Sequence, residues 1–495
     1  MNHIGIDLGT TNSVACTMQD GKFVFLDFRR SDLLPSVLLY QDGKVTVGAA
    51  AMRKSEAFHK NYIASAKTHM GSTEALKEIE GRSFTPTDVA TEILTEIYRA
   101  ARKYFANDDP IEAVITTPAY FDSVQNYETE RAGKAAGFIV KQILPEPVSA
   151  ALAYAMDDCN PGEKIYVVDL GGGTFDVTLL EVVNHHEFNT LMKDGDNHLG
   201  GDDFDAAIME MMYRAIRLSA GVDLADEKES GLTPEDYGKV QQKLKSAAER
   251  SKCELSTSES TEVNIVSLFP HKGGHYDFTM TLTRQEFLEE ASLSVNKVKN
   301  TIKHSFDNLD YDHDAVDRVI LVGGSARMPF VRDFVKVFFG KEPYADKDLA
   351  KLVAMGAALK ANDENNTIIS RDIITRSLGI ELTGKRFAVI LPKNKVYPCD
   401  NSGAPAHERI FTTVYDYQES VDINVYVGES DNVDDNTFYD GFTLDGIERA
   451  KVGVPRIEVI FSFDESQILH VKSRDLRTGA AGSKEIAIDR SGGKL

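Results

Sequence analysis

Two near-copies of one loop constrain this chain more than any other feature: Asp7-Leu-Gly-Thr-Thr-Asn-Ser13 and Asp169-Leu-Gly-Gly-Gly-Thr-Phe-Asp176. Each follows an apolar run of strand type (Ile4–Ile6 and Ile165–Val168) and leads into another (Val14–Thr17 and Val177–Val183). Strand, Gly/Thr turn, strand is a hairpin. That excludes the dinucleotide fingerprint and the P-loop, because both require a helix directly after the glycines. A glycine-rich turn can aim several backbone N–H groups at one point and so cradle an anion. The Thr hydroxyls add further donors and acceptors. Asp7 and Asp169 at the turn mouths would repel a bare phosphate, so they make sense only with a cation between carboxylate and phosphate.

Composition sets the outer limits. A chain of 495 residues is too long for one core and predicts two or more domains. The net charge of −22 argues against nucleic acid or an anionic membrane as the main partner. The N-terminus enters a strand at once, which leaves no room for a signal peptide, and no apolar run approaches the roughly 18 residues of a membrane-spanning helix. Cys16, Cys159, Cys253 and Cys399 are scattered without a Cys-x-x-Cys pair, and the histidines show no metal-ligand spacing. The expectation is a reducing, cytoplasmic setting without disulfides or zinc.

Along residues 1–362 strand and helix patterns alternate. Thr85-Pro86-Thr87-Asp88 supplies an N-cap, a Pro at the first helical position and an acid at the third, followed by Val89, Ile93, Ile97 and Ala101 at helical spacing. Thr233-Pro-Glu-Asp236 predicts a helix to about Lys252, and Thr283-Arg-Gln-Glu286 another to about Phe306. Asn362-Asp-Glu-Asn-Asn366 is polar and aperiodic and opens a domain linker at 363–373. From 374 to 495 the period changes to two: Val421, Ile423, Val425 and Val427 alternate with polar neighbours, as do Ile457, Val459, Phe461 and Phe463. With turn residues between the runs, this predicts an all-β sandwich. The tail Ser491–Leu495 ends without a further helix.

Three more segments join the two loops. Val114–Phe121 is a strand ending at Pro118. Val319-Ile-Leu-Val-Gly-Gly-Ser-Ala-Arg327 is a strand, a Gly-Gly turn and an arginine. Leu352–Leu359 is apolar and rich in small residues, suited to close helix packing. In this order the five resemble the phosphate-1, connect-1, phosphate-2, adenosine and connect-2 motifs of the actin, sugar-kinase and heat-shock ATPase superfamily. Within it, Ile6–Ser13, Pro145–Tyr154, Asp169–Asp176 and Gly195–Asp205 look like DnaK-type heat-shock chaperones. Ser377–Glu381 and Leu444–Glu448 look like that family's substrate domain, and the short form is similar to its HscC-like branch. The resemblance implies an actin-like α/β ATPase domain with duplicated ribonuclease-H-like halves, followed by a β-sandwich peptide-binding domain. It also implies ATP or ADP, Mg2+ and K+ as cofactors.

The same resemblance carries roles onto positions. Gly9, Thr10, Thr11 and Asn12 match the first phosphate loop, and Gly171, Gly172, Gly173 and Thr174 the second, with Asp176 beside it. Lys67 matches the catalytic lysine, while Asp7, Glu146 and Asp169 match the carboxylates around Mg2+ and its waters. Gly200, Gly201, Asp202, Glu249, Lys252 and Ser256 match the ribose and adenine side, with Gly323, Gly324, Ser325 and Arg327 opposite. Asp202 stands where the family has Glu, so contact with the ribose is expected through water. Phe411, Val414, Val421 and Ile423 match the peptide cleft, and Pro118 and Asp372 the interdomain contacts. The implied chemistry is slow attack of water on the γ-phosphoryl, which needs positioning and charge neutralisation more than a strong base.

The resemblance implies unfolded or extended polypeptide clients, a J-domain co-chaperone, a nucleotide exchange factor and a monomeric state. Two or three buried Leu/Ile side chains give about 3–9 kcal/mol against an association cost of about 4–15 kcal/mol, so backbone hydrogen bonds to an extended client must contribute. An actin-like kinase and an exchange-factor-type binding module remain the alternatives. A kinase would add an α/β domain and an acceptor pocket; a non-hydrolysing module would not need Lys67, Glu146, Asp169 and Thr174. Several positions depart from the family. The helical lid is missing where the chain stops at Leu495, so clients are expected to exchange quickly. Gln142 and Asn126 replace arginines used for J-domain contact and interdomain signalling, and Thr383 and Arg386 alter the cleft. Ser370 and Arg371 replace apolar linker residues, so the expectation is a linker that docks poorly and couples the domains weakly.

Overall fold

Both glycine-rich loops join antiparallel strands: Asn2–Asp7 with Asn12–Gln19, and Lys164–Leu170 with Phe175–Asn184. The computed structural model describes residues 1–486 apart from 185, 308, 310, 311, 345–348, 394, 399–406 and 465. Cys399 and the tail 491–495 lie outside the described residues.

The two hairpins are built into sheets of one plan. In the first, the strand before the loop pairs in parallel with Ile111–Thr117, which pairs in parallel with Ile139–Pro145. In the second, it pairs in parallel with Arg318–Val322, and the strand after the loop pairs with Glu187–Asp196. Side chains of Val114, Leu144, Ile165, Val167, Ile320 and Val353 share one core between the halves. The small-residue run lies in the helix Leu349–Asn362, and its size is required there. A Cβ on Gly356 would stand 1.7 Å from Ser149 O, and one on Gly5 would stand 2.1 Å from Ala358 N. The helix therefore wedges between the first hairpin and the helix Glu146–Asp158.

The helix signals hold. Thr85 and Asp88 form a capping box on Pro86–Phe105, and Thr233 caps Pro234–Leu255. The helix predicted from Thr283 to Phe306 is two helices, Arg284–Glu290 and Ser292–His304, broken at Ala291. Phe287, Ala291, Val295, Val298 and Ile302 stay buried across the break, so apolar periodicity does not reveal it.

Eight strands between 378 and 486 form two four-stranded antiparallel sheets face to face. One contains Leu378–Leu382, Arg386–Leu391, Ser420–Val427 and Thr437–Asp445; the other His407–Phe411, Ile457–Phe463, Leu469–Asp475 and Ala481–Ile486. Leu378, Ile380, Val425, Val459, Phe461 and Val471 fill the space between them.

The linker differs from expectation. After a turn held by Asp363, whose carboxylate accepts from the amides of Thr367 and Ile368, Ile369–Ile373 adds a parallel strand to Glu187–Asp196. Val396–Pro398 pairs on its other edge. Ser370 and Arg371 therefore do not prevent docking: backbone pairing replaces apolar burial, Arg371 pairs with Glu187, and Asp372 forms a buried ion pair with Lys193. The sandwich also rests on the first half. Tyr439 Oη accepts from Ser123 N (3.0 Å), Ser123 Oγ donates to Gln467 O (3.0 Å), and Ile143 N donates to Ser466 Oγ (3.0 Å).

Candidate functional site

The two loops face each other across a cleft of about 600 Å³ lined by residues of both halves. Two Gly contacts set its floor. A Cβ on Gly172 would collide with Thr11 Oγ1 at 2.0 Å, and one on Gly323 (φ +83°) would meet Leu170 O at 2.3 Å. The Gly171 amide closes its own turn onto Thr174 O (2.9 Å), while Asp202 N donates to Gly172 O (2.7 Å). Among the described residues, the amides of Thr10, Thr11, Gly172 and Gly173 donate no hydrogen bond within the protein. Of these, Thr10, Thr11 and Gly172 line the cleft and make an anion cradle.

Behind the cradle lies an excess of buried acid. Lys67 Nζ stands 2.6 Å from Glu146 Oε1, both groups buried. Burial, reinforced by Glu146, pushes the Asp7 carboxyl up to about 7, with Lys67 and a hydrogen bond from Thr116 opposing. Burial and Glu146 likewise push Asp176 up to about 7 and raise Asp169 well above its ordinary range. Asp176 Oδ1 accepts from Tyr120 N (3.2 Å), and its Oδ2 is buried without a partner. Four carboxylates around one ammonium, beside an anion cradle, is a donor set that fits a hard divalent cation. Among the described residues no three His, Cys, Asp or Glu side chains converge closely enough to chelate a metal directly. What fits is a hydrated ion held through waters and phosphate oxygens.

The opposite wall carries the sugar and base candidates. Glu249, Lys252 and Ser256 line the cleft together with Gly201, Asp202, Gly324, Ser325 and Arg327. Gly173 and Gly200 sit behind the loop, packed on each other. Lys252 Nζ turns to Asp205 Oδ1 (2.8 Å) and Gly201 O (2.9 Å) rather than to Glu249. Asp202 reaches across the cleft: its Oδ2 accepts from Ser65 Oγ at 2.7 Å, and its Oδ1 lies 3.4 Å from Lys245 Nζ. Sequence reasoning missed Ser65, Lys245 and Asp205. Lys245 shares the helical stripe of Glu249, Lys252 and Ser256, which was a usable signal; Ser65, in a left-handed turn (φ 54°), offered none.

Pro118 opens the loop whose Tyr120 amide reaches Asp176 and whose Ser123 reaches the sandwich. Of the peptide-cleft candidates, Val414 is 46% exposed and Phe411 and Val421 are half-buried, but Ile423 is 3% exposed. The period-two register points Ile423 inward with Val425 and Val427, so Ile423 is a core residue and presents no surface to a client.

Hairpin-lined cleft, buried lysine and carboxylates, and an appended β-sandwich define a two-lobed α/β protein with an anion-binding cleft, joined to a β domain. The family model described as Hsp70 protein matches residues 3–79 and 73–494. The chain belongs to the Hsp70 family, whose members are ATP-dependent chaperones with an actin-like ATPase domain and a β substrate-binding domain.

Proposed function

We propose that this protein hydrolyses ATP slowly, with Mg2+, to control its hold on extended polypeptide segments. The observation that carries this reading is the single buried Lys67–Glu146 pair among Asp7, Asp169 and Asp176, facing free backbone donors from two matching loops. Thr10, Thr11 and Gly172 would hold phosphate oxygens through their amides. Lys67 would balance charge developing on the transferred γ-phosphoryl. Asp7, Glu146 and Asp169 would hold the waters of Mg2+, and Asp176 and Thr174 would position the attacking water. When bound, Mg2+ would supply the positive charge that neutralises the phosphates. Positioning and charge account for such a step, because loose phosphoryl transfer asks little of a base.

The all-β appended domain favours a chaperone over a kinase, and the docked linker strand supports communication between nucleotide and client. Val414, Phe411 and Val421 are the client-facing candidates. Gln142 is buried, so a J-domain partner would not be read through its side chain. We place the protein in the cytoplasm on its scattered cysteines. A net charge of −22 favours a monomer through mutual repulsion. K+ beside the phosphates belongs to the same proposal. Phosphate release with and without an unfolded polypeptide tests the reading. Slow release, accelerated by the polypeptide, supports it. Transfer to a small acceptor, or no release, rejects it.

A further inference from the structure

Among the described residues, the most deeply buried ion pair outside the cleft joins Lys193 to Asp372, each side chain 2% exposed. Lys193 lies on the strand Glu187–Asp196, and Asp372 lies on the docked linker strand Ile369–Ile373. In the antiparallel register Lys193 stands opposite Thr178, and Gly195 stands opposite Asp176. Lys193, Thr178 and Asp176 therefore share one face of the sheet, with Lys193 and Asp176 diagonal neighbours. Gly195 leaves that diagonal clear; a Cβ there would stand 3.2 Å from Asp176 Oδ1.

Backbone pairing alone does not select a register for the linker. Arg371 and Glu187 sit at the outer side of the pairing, with Arg371 39% exposed, and an ion pair this open contributes little. A one-residue slip would turn Asp372 to the opposite face and leave both it and Lys193 buried without a partner. The buried pair thus penalises every register but one, which the polar residues Ser370 and Arg371 cannot do by burial.

We propose that Lys193 is the positioning residue that locks the linker in its docked register and ties that docking to the second phosphate hairpin. The tie is mechanical: one side chain bridges the linker strand and the sheet face that carries Asp176. The inference concerns where the linker strand sits and not whether the γ-phosphoryl is transferred, so it stands or falls separately from ATP hydrolysis.

Hydrogen–deuterium exchange on the full chain, run both without nucleotide and in saturating ATP, tests it through the amides of 369–373 and 175–180, read in the condition that protects the linker of the unaltered protein. A linker unprotected in both conditions overturns the docking itself. In Lys193→Met and in Asp372→Asn the linker amides should exchange on the order of a hundredfold faster, the low end of what losing one partner of a buried pair costs. The amides of 175–180 should loosen in parallel. The double variant Lys193→Met/Asp372→Asn should be no faster than either single, and the charge swap Lys193→Asp/Asp372→Lys should recover protection. Unchanged linker exchange in Asp372→Asn, a near-isosteric change that carries the test even if Lys193→Met misfolds, overturns the lock. Additive losses without recovery in the swap would mean independent packing roles and also overturn it. Linker release with 175–180 unaffected overturns the tie to the hairpin.

Discussion

Replacing Lys67 by Met separates binding from chemistry at the cleft. Lys67 Nζ lies 2.6 Å from Glu146 Oε1 and 5.8 Å from the Phe121 ring centre, and it is the cation that opposes the raised carboxyls of Asp7, Asp169 and Asp176. Two costs follow from its loss. Glu146 is left buried without its partner, which in an empty site costs about 3–5 kcal/mol. A bound cation offsets that cost, so the loaded protein should remain folded. The second cost falls on the reaction: removing one preorganised group at developing charge slows turnover by about 10²–10³, or roughly 2.7–4 kcal/mol. Binding of ADP, which lacks the transferred group, should change far less. Single-turnover hydrolysis and titration with a fluorescent ADP, run side by side, measure the two. Turnover that is unchanged, or that falls by the same factor as ADP affinity, would show that Lys67 acts in ground-state binding alone or not at all.

Three further outcomes are expected. Asp7 and Asp176 have carboxyls raised from 3.8 to about 7, so the ionised forms are disfavoured in the fold. Their contribution to stability is full below the unfolded value and is lost as pH rises through about 7. The melting temperature of metal-free protein should therefore fall across that window, and saturating Mg2+ with nucleotide should flatten the slope. Asp202→Asn should weaken the cross-cleft tie to Ser65 and Lys245; with the Lys245–Asp202 pair 42% and 34% exposed, the gain in nucleotide release is only about two- to fivefold, read by stopped flow. The exposed thiol of Cys253 lines the cleft beside Lys252, and burial of its surroundings raises its pKa, so alkylation should be slow and should be blocked by ADP; site-resolved mass spectrometry checks both.

The parts of this protein that local chemistry dictates were legible in the sequence. The two hairpins follow from Gly/Thr turns between apolar runs, the helices from Thr85 and Thr233 caps, and the sandwich from period-two alternation. Contacts made by distant segments were not legible. The linker's Asp372 meets Lys193, 179 residues away in sequence, and the strand pairs through backbone groups that carry no side-chain signal. Ile423 illustrates a second limit: alternation shows which residues share a face, but a sandwich has one inward face that serves both core and cleft. Ser65 entered the site through a left-handed turn that no composition marks.

Nucleotide control over polypeptide binding is the central claim, and the affinity of the full chain for a labelled extended apolar peptide tests it most directly. Measured at equilibrium in saturating ATP, with hydrolysis blocked by Lys67→Met, and again in ADP, the two affinities should differ by about tenfold or more, within the usual range of allosteric coupling. Equal affinities in the two nucleotides, with the peptide still bound, would contradict the account.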